Sequence, residues 1–201
     1  IARWNLFKLG ETLQGLIPEP ALQEELNAFA KIFSGYYLKK MAGKLGLEVV
    51  DERFEETLNQ LLQILATHQP DYTNFFRRLA RRRTGGAGEL RQGFAAAPES
   101  LDAWLTRHEE LLDREDVGPE EQQRRMEAAN PKFILRNYLA QHAIEKALKE
   151  QSFTEINRLF HLLRSPYRDQ PELFERLGID PEVYTVDTPE SYASLRVSCS
   201  A

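Results

Sequence analysis

Apolar residues recur at three- and four-residue intervals along most of this chain, the spacing that gathers them on one face of an α-helix. Leu6, Leu9, Leu13 and Leu16 make the first stripe, which stops at Pro18 and Pro20, where an amide proton is missing and the ring clashes with the preceding turn. Over residues 21–45 the series Leu22, Leu26, Phe29, Phe33, Tyr36, Tyr37, Met41 and Leu45 keeps the same period, with a weak point expected at Ser34-Gly35. Asp51 is placed to cap a third helix bearing Phe54, Leu58, Leu61, Leu62 and Leu65. Asp71 does the same for "DYTNFFRRLARRR". The glycine-rich, aperiodic "TGGAGELRQGFAAAP", residues 84–98, then reads as a flexible connector between two helical groups.

Beyond it, Ser100 is expected to cap "LDAWLTRHEELLDRE", and Gly118-Pro119 separates that helix from "EEQQRRMEAA". "NPKFILRNYLAQHAIEKA", residues 130–147, reads as a helix with Asn130 as N-cap and Pro131 in the first turn. That placement puts Lys132 near the positive end of the helix dipole and Arg136 four residues on, at a cost of a few tenths of a kcal/mol each, roughly. The expected remedy is pairing of both cations with carboxylates or terminal carbonyls of neighbouring helices, the helix packing through Phe133, Leu135, Leu139 and Ile144. A solvated Lys132 with Arg136 alone paired is the competing arrangement. "SFTE", residues 152–155, has the form of a capping box, "PELFERLG" is helical, and residues 183–186 suit a short extended pairing. The fold class is all-α.

Composition narrows the function classes. The 201 residues are 42% hydrophobic and 28% charged, enough for a sizeable core in one large domain or two small ones. Lys and Arg number 26 against 31 Asp and Glu, and the resulting net charge of −5 speaks against a dedicated nucleic-acid binder or a general affinity for anionic membranes. No apolar run has the length of a membrane span. Cys199 is the single cysteine, so no disulfide closes within the chain and a reducing compartment is the simpler assumption. A helical pattern already under way at Ile1, without a cap or targeting segment, reads as a chain entered partway through.

Few residues announce chemistry. "TGGAG" lacks the Lys and Ser or Thr of a phosphate-binding loop and follows a helix instead of a strand. His68, His108, His142 and His161 have no second ligand at metal spacing, and no Ser, His and acid combination forms a recognisable triad. No catalytic, cofactor-binding or metal-ligating residue is therefore assigned within the chain. Trp4 and Trp104 lie in helical apolar patterns and read as core. Arg77, Arg78, Arg81, Arg82 and Arg83 crowd one helix end and call for anions. A solvated helix C-terminus, ion pairs with the acidic stretch Glu109, Glu110, Asp113, Glu115 and Asp116, and phosphate or nucleic-acid binding all meet that demand; the acidic balance favours the first two.

"NPKFILRNYLAQHAIEKA", the helix after it, "SPY" at 165–167 and the terminal "LRVSCSA" resemble the C-terminal part of the selenoprotein O family, also called YdiU. "WNLFKLGETL" and "DYTNFFRRL" resemble that family's pattern in the same order, so the resemblance covers nearly the whole chain. It implies a kinase-like fold that transfers AMP from ATP, with Mg or Mn, to Ser, Thr or Tyr hydroxyls of proteins. Residues 1–83 would then be the late kinase-like C-lobe and the start of a helical extension, 84–98 a connector, and 99–201 the rest of the extension with an irregular tail. The family's nucleotide-binding lysines and metal-binding Asn and Asp precede the part resembling this chain, which would serve as scaffold. Its partners would be the upstream kinase-like lobe and the protein substrates, with no nucleic acid and no membrane, in a bacterial cytoplasm or a mitochondrion. Asn130, Pro131, Lys132, Arg136 and Asn137 match the family motif as structural residues. Cys199 matches its redox position, although the ending here is Cys199-Ser200-Ala201 where the family pattern is Cys-Ser-Ser. The rival from another class is an autonomous α-helical protein-interaction module; RNA binding through the arginine cluster is a third reading and predicts steep salt dependence.

Overall fold

A computed structural model of the chain describes residues 1–86, 88–94 and 98–192. Among them are α1 (Ala2–Thr12), α2 (Glu19–Lys44), α3 (Glu52–His68), α4 (Tyr72–Arg81), α5 (Glu89–Gln92), α6 (Glu99–Leu112), α7 (Pro119–Ala129), α8 (Asn137–Glu150), α9 (Thr154–Leu163) and α10 (Pro171–Leu177). Short 3-10 turns follow at Arg82–Thr84, Pro181–Tyr184 and Glu190–Tyr192. The fold is all-α. No helix among the described residues is long and apolar enough to cross a membrane.

Two apolar clusters organise these helices. The larger runs from Met41 to Met126 and centres on Phe54, Phe75, Phe76, Leu101 and Trp104. Burial of each such side chain contributes roughly 2 kcal/mol relative to exposure. The indole N–H of Trp104 donates to the Thr57 carbonyl (2.8 Å), so the largest residue of the cluster buries its polar atom with a partner. Asp51 and Asp71 cap α3 and α4 as expected, each accepting a backbone N–H at 2.9 Å, from Phe54 and Asn74. Gly46 ends α2 at φ +78°, and a Cβ there would stand 2.9 Å from the Met126 side chain. The smaller cluster gathers Phe133, Tyr138, Leu139, Leu159, Leu162, Phe174 and Tyr184 from the second half of the chain.

Several local expectations are corrected. Helix α2 passes through Ser34 and Gly35 without interruption. Pro98 and Phe153, rather than Ser100 and Ser152, precede the first turns of α6 and α9, and neither helix has a side-chain cap. Residues 183–186 are not extended, because Asp180 accepts the Glu182 N–H (2.9 Å) and starts the 3-10 turn at Pro181–Tyr184. In the glycine-rich stretch Leu90 and Phe94 are buried, Phe94 meeting Phe75 edge to face at 6.1 Å, so these positions belong to the larger core. Trp4 is 62% exposed: α1 packs on α2 and contains no buried residue. The periodicity located the apolar face of α1 but not what covers it.

The largest correction falls on residues 130–136. Helix α7 continues to Ala129, Asn130 is its C-cap in extended backbone (φ −118°, ψ 114°), and α8 begins at Asn137. Residues 131–136 are non-helical, so Lys132 and Arg136 do not share a helix face. Phe133 and Leu139 are buried in the smaller cluster, whereas Leu135 and Ile144 are about half exposed.

Candidate functional site

Asn130 shows why the segment departs from a helical start. Its side chain is fully buried and donates from Nδ2 to the carbonyls of Lys44 and Met126, both at 2.8 Å, while Oδ1 accepts from Lys44 Nζ at 2.7 Å. Lys44 ends α2 and Met126 lies in the last turn of α7. One amide thereby ties the carbonyl that ends α2 to one in the last turn of α7, which the Asn130 backbone N–H also meets at 2.9 Å, and its oxygen is turned to Lys44 instead of to the N–H groups of a following helix. Arg77 of α4 reaches the same place, its Nη1 donating to the carbonyls of Glu127 and Asn130 at 3.3 Å, with cationic charge at the negative end of the α7 dipole.

The following residues lie across the start of the smaller cluster. The backbone N–H groups of Lys132 and Phe133 both donate to the Pro166 carbonyl (2.8 and 3.0 Å), a pairing that holds 132–133 out of a helix. Lys132 Nζ pairs with Asp169 at 2.7 Å. Arg136 is buried and forks onto Asp71, Nη1 meeting Oδ2 and Nη2 meeting Oδ1 at 3.1 Å. Burial raises the pKa of Asp71, but the Arg136 hydrogen bonds, the Asn74 N–H and the Arg136 and Arg78 charges outweigh that, so the net direction is downward. Lys132 and Arg136 are therefore both paired with carboxylates from elsewhere in the chain, the first of the two arrangements expected from sequence. Asn137 is exposed at the first position of α8.

The arginine cluster is met mainly by acidic side chains. Arg82 pairs with Glu109, Arg83 with Asp113 and Glu109, and Arg77 and Arg81 with Glu127 at 3.5 Å. Arg78 joins Asp187 (3.0 Å), and Asn74 donates to the Thr185 carbonyl (2.8 Å), tying residues 185–187 to α4. Between these groups lies a cleft of about 330 Å³ whose walls include Arg77, Arg78, Arg81, Lys132 and Glu182. Glu109 and Asp113 belong to the acidic stretch anticipated from sequence. The roles of Asp71, Asp187, Asp169 and Glu127 were not anticipated, because each lies tens of residues from its partner with no local pattern to mark it.

A second groove, of about 710 Å³, opens between α2 and α7, with Pro131 and Tyr167 on its wall. The remaining candidates are dispersed. His108 is buried, with Nε2 at 2.8 Å from the Leu45 carbonyl and its ring stacked on Trp104 at 4.9 Å. Burial pushes its pKa down to about 4. Because a carbonyl only accepts, Nε2 carries the proton, and His108 is a neutral core residue. No group of three His, Cys, Asp or Glu able to hold a metal occurs among the described residues. Cys199 lies outside the described residues.

The family model described as protein adenylyltransferase SelO matches residues 1–164. The chain belongs to the SelO family. It is 36% identical over 203 residues to the protein nucleotidyltransferase YdiU of Pseudomonas fluorescens (strain Pf0-1). Identity is 36% over 202 residues to the protein of that name in Yersinia pseudotuberculosis (serotype O:1b, strain IP 31758), and 34% over 202 residues in Pseudomonas aeruginosa (strain LESB58). Each match takes in all of this chain and 40% of the relative. The SelO match covers the arginine cluster, the Asn130 joint and the Arg136–Asp71 pair, and ends one residue before "SPY".

Proposed function

We propose that the chain is the helical scaffold of a protein adenylyltransferase that moves AMP from ATP to Ser, Thr or Tyr hydroxyls of proteins, its nucleotide site lying in the part of the relatives this chain does not cover. In that chemistry the hydroxyl oxygen bonds the α-phosphorus, the bond to the β-phosphate oxygen breaks, pyrophosphate leaves and the hydroxyl proton passes to a base. A divalent Mg or Mn ion would supply charge neutralisation there. The described residues do not fit such an ion, since they bring no three suitable ligands together, and no step is placed on them.

The observation that carries the scaffold reading is the joint at 130–137. Asn130 closes two helix ends of the larger cluster, and Arg136 fastens the start of α8 to the cap of α4. The partners this reading supplies are the rest of the same polypeptide and the proteins it modifies. The exposed apolar faces of α1 and the first half of α2, including Trp4, Phe7, Ile32 and Phe33, support burial against the rest of the polypeptide. They equally suit an autonomous helical interaction module, the second reading. By family resemblance Cys199 acts as a redox latch, forming a disulfide with a cysteine elsewhere in the protein by thiol–disulfide exchange with a small-molecule disulfide, which takes up the two electrons and two protons and leaves as two thiols. The setting is the cytoplasm in a bacterium or the mitochondrion in a eukaryote.

Incorporation of label from α-labelled ATP separates these readings. The full-length protein should label itself or a protein substrate, and the 201-residue chain alone should not. Robust labelling by the chain alone would overturn the placement of the nucleotide site. Full-length protein that never incorporates label, while the chain captures a defined partner, would favour the interaction module. For the latch, peptide mapping without reductant after mild oxidation should show a peptide linked through Cys199 that Cys199→Ser abolishes.

A further inference from the structure

The groove between α2 and α7 differs from every other cationic surface described above. Lys39, Lys40 and Lys44 line it from α2 and Arg125 from α7, and no carboxylate is among its lining residues. Of these four, Arg125 alone is ion-paired among the described residues, to Glu48 and Glu121. Lys40 and Lys44 are four residues apart on one helix, a like-charge spacing that destabilises the helix unless an anion lies between them. The carboxylates beside this groove, Glu48 and Glu121, are engaged by Arg125, and the three lysines have no acidic partner among the described residues.

Lys44 adds a second, independent observation. It is half-buried, and its ammonium is held by the neutral Asn130 Oδ1 and by the faces of Phe76 (4.7 Å) and Tyr72 (5.6 Å). Burial without a carboxylate pulls its pKa below the ordinary lysine value. Arg136, Arg82 and Lys132 are buried or partly buried too, and each has an acidic partner. A cation desolvated without one is electrostatically unfinished.

The walls are fixed rather than incidental. Gly43 and Ala129 face each other where α2 packs on α7 beneath the cations, a Cβ on Gly43 falling at ordinary contact distance, 3.9 Å, from the Ala129 Cβ. Tyr167 follows Pro166, whose carbonyl is held by the N–H groups of Lys132 and Phe133. Tyr36 is 64% exposed, with the Lys40 ammonium over one face of its ring at 5.3 Å, and Tyr167 is 47% exposed, so each tyrosine brings an aromatic surface to the groove. The Asn130-Pro131 motif that closes the helix ends thus also orients Lys44 and forms part of the wall.

We propose that this groove binds a small molecule carrying linked phosphates, its phosphates against Lys39, Lys40 and Lys44 and a planar organic group against Tyr36 or Tyr167. Linked phosphates supply the several negative charges that three uncompensated ammonium groups require, and a volume of about 710 Å³ leaves room for a ring beside them. The assignment does not depend on where nucleotidyl transfer takes place.

Titration calorimetry of the 201-residue chain, with inorganic tripolyphosphate and with a nucleoside triphosphate as probes, tests it. Saturable binding of both is expected at one site. The double variant Lys39→Gln/Lys40→Gln, exposed positions that leave the fold intact by urea midpoint, should weaken both probes about tenfold. Lys44→Gln should act in the same direction, while the controls Lys31→Gln and Lys149→Gln change affinity less than about twofold. Tyr36→Ala or Tyr167→Ala should weaken the nucleoside triphosphate and leave tripolyphosphate unmoved. Absence of saturable binding, or equal losses in the control and groove variants, would overturn the site. Indifference of both probes to both tyrosine variants would overturn the assignment of the ring.

Discussion

At the cleft walled by Arg77, Arg78 and Lys132, every cation just named meets a carboxylate, and the buried Arg136 nearby meets Asp71; at the groove walled by Lys39, Lys40 and Lys44 those three lysines meet none among the described residues. The residue types also differ. Arginine, whose planar fork matches a carboxylate, predominates among the paired cations, with Lys132 beside it, and lysine, a mobile point charge, supplies the unpaired ones. Paired cations of the first kind hold helices together, and removing one strands a buried charge. Of the unpaired cations, the exposed Lys39 and Lys40 contribute little to the fold, Lys44 is tied to Asn130, and together they leave a surface prepared for anions.

The largest effect that can break this contrast is expected at Arg136. Arg136→Met leaves the Asp71 carboxylate buried without its cation and should lower unfolding stability by about 3–5 kcal/mol in urea titrations. Adding Asp71→Asn should recover part of the loss, because the stranded charge is gone. Asp71 also gives a pH signature. Its folded pKa lies below the unfolded value, so the stabilisation is present above the unfolded pKa and fades as pH falls through the folded one.

His108 sharpens the comparison from another direction, since it is an ionisable group buried with no counter-charge and kept neutral. Its folded pKa of about 4 lies below the 6.5 of an ordinary histidine. The unfolded chain therefore binds more protons between those values, and stability present above pH 6.5 declines as pH falls toward 4. The total is on the order of 3 kcal/mol. Urea midpoints across that window should show the slope, and His108→Gln should flatten it.

Smaller effects follow at the rim of the arginine cluster. The Arg82 and Arg83 pairs involve Glu109 and Asp113 side chains that are 42% and 60% exposed. Arg83→Gln should cost less than about 1 kcal/mol and less again in high salt. An equal cost in low and high salt would place this pair with Arg136 instead.

Much of the fold was legible because its signals are local. Asp51 and Asp71 are good caps ahead of apolar periods, and Trp104 lies within such a period, so both caps and its place in the core follow from neighbouring residues. Arg82 and Arg83 finding Glu109 and Asp113 was legible as charge balance. Asn130-Pro131 was misread for the opposite reason. Its local chemistry suits a helix start, but Lys44, Met126 and Pro166 claim the hydrogen bonds such a start would use, and only tertiary structure brings them there. Ser34-Gly35 shows that a weak local preference does not end a helix with favourable residues on both sides. The lysine groove left no sequence signal, since Lys40 and Arg125 meet only when α2 packs on α7.

The most direct measurement of the division between structural and available cations is a side-by-side urea titration of Arg136→Met and Lys40→Gln. Arg136→Met should lose about 3–5 kcal/mol. Lys40→Gln should stay within about 0.5 kcal/mol of the unaltered chain, or gain a few tenths from relief of its repulsion with Lys44. Comparable losses in the two variants would show that the groove lysines hold the fold as the arginines do, and would contradict the division.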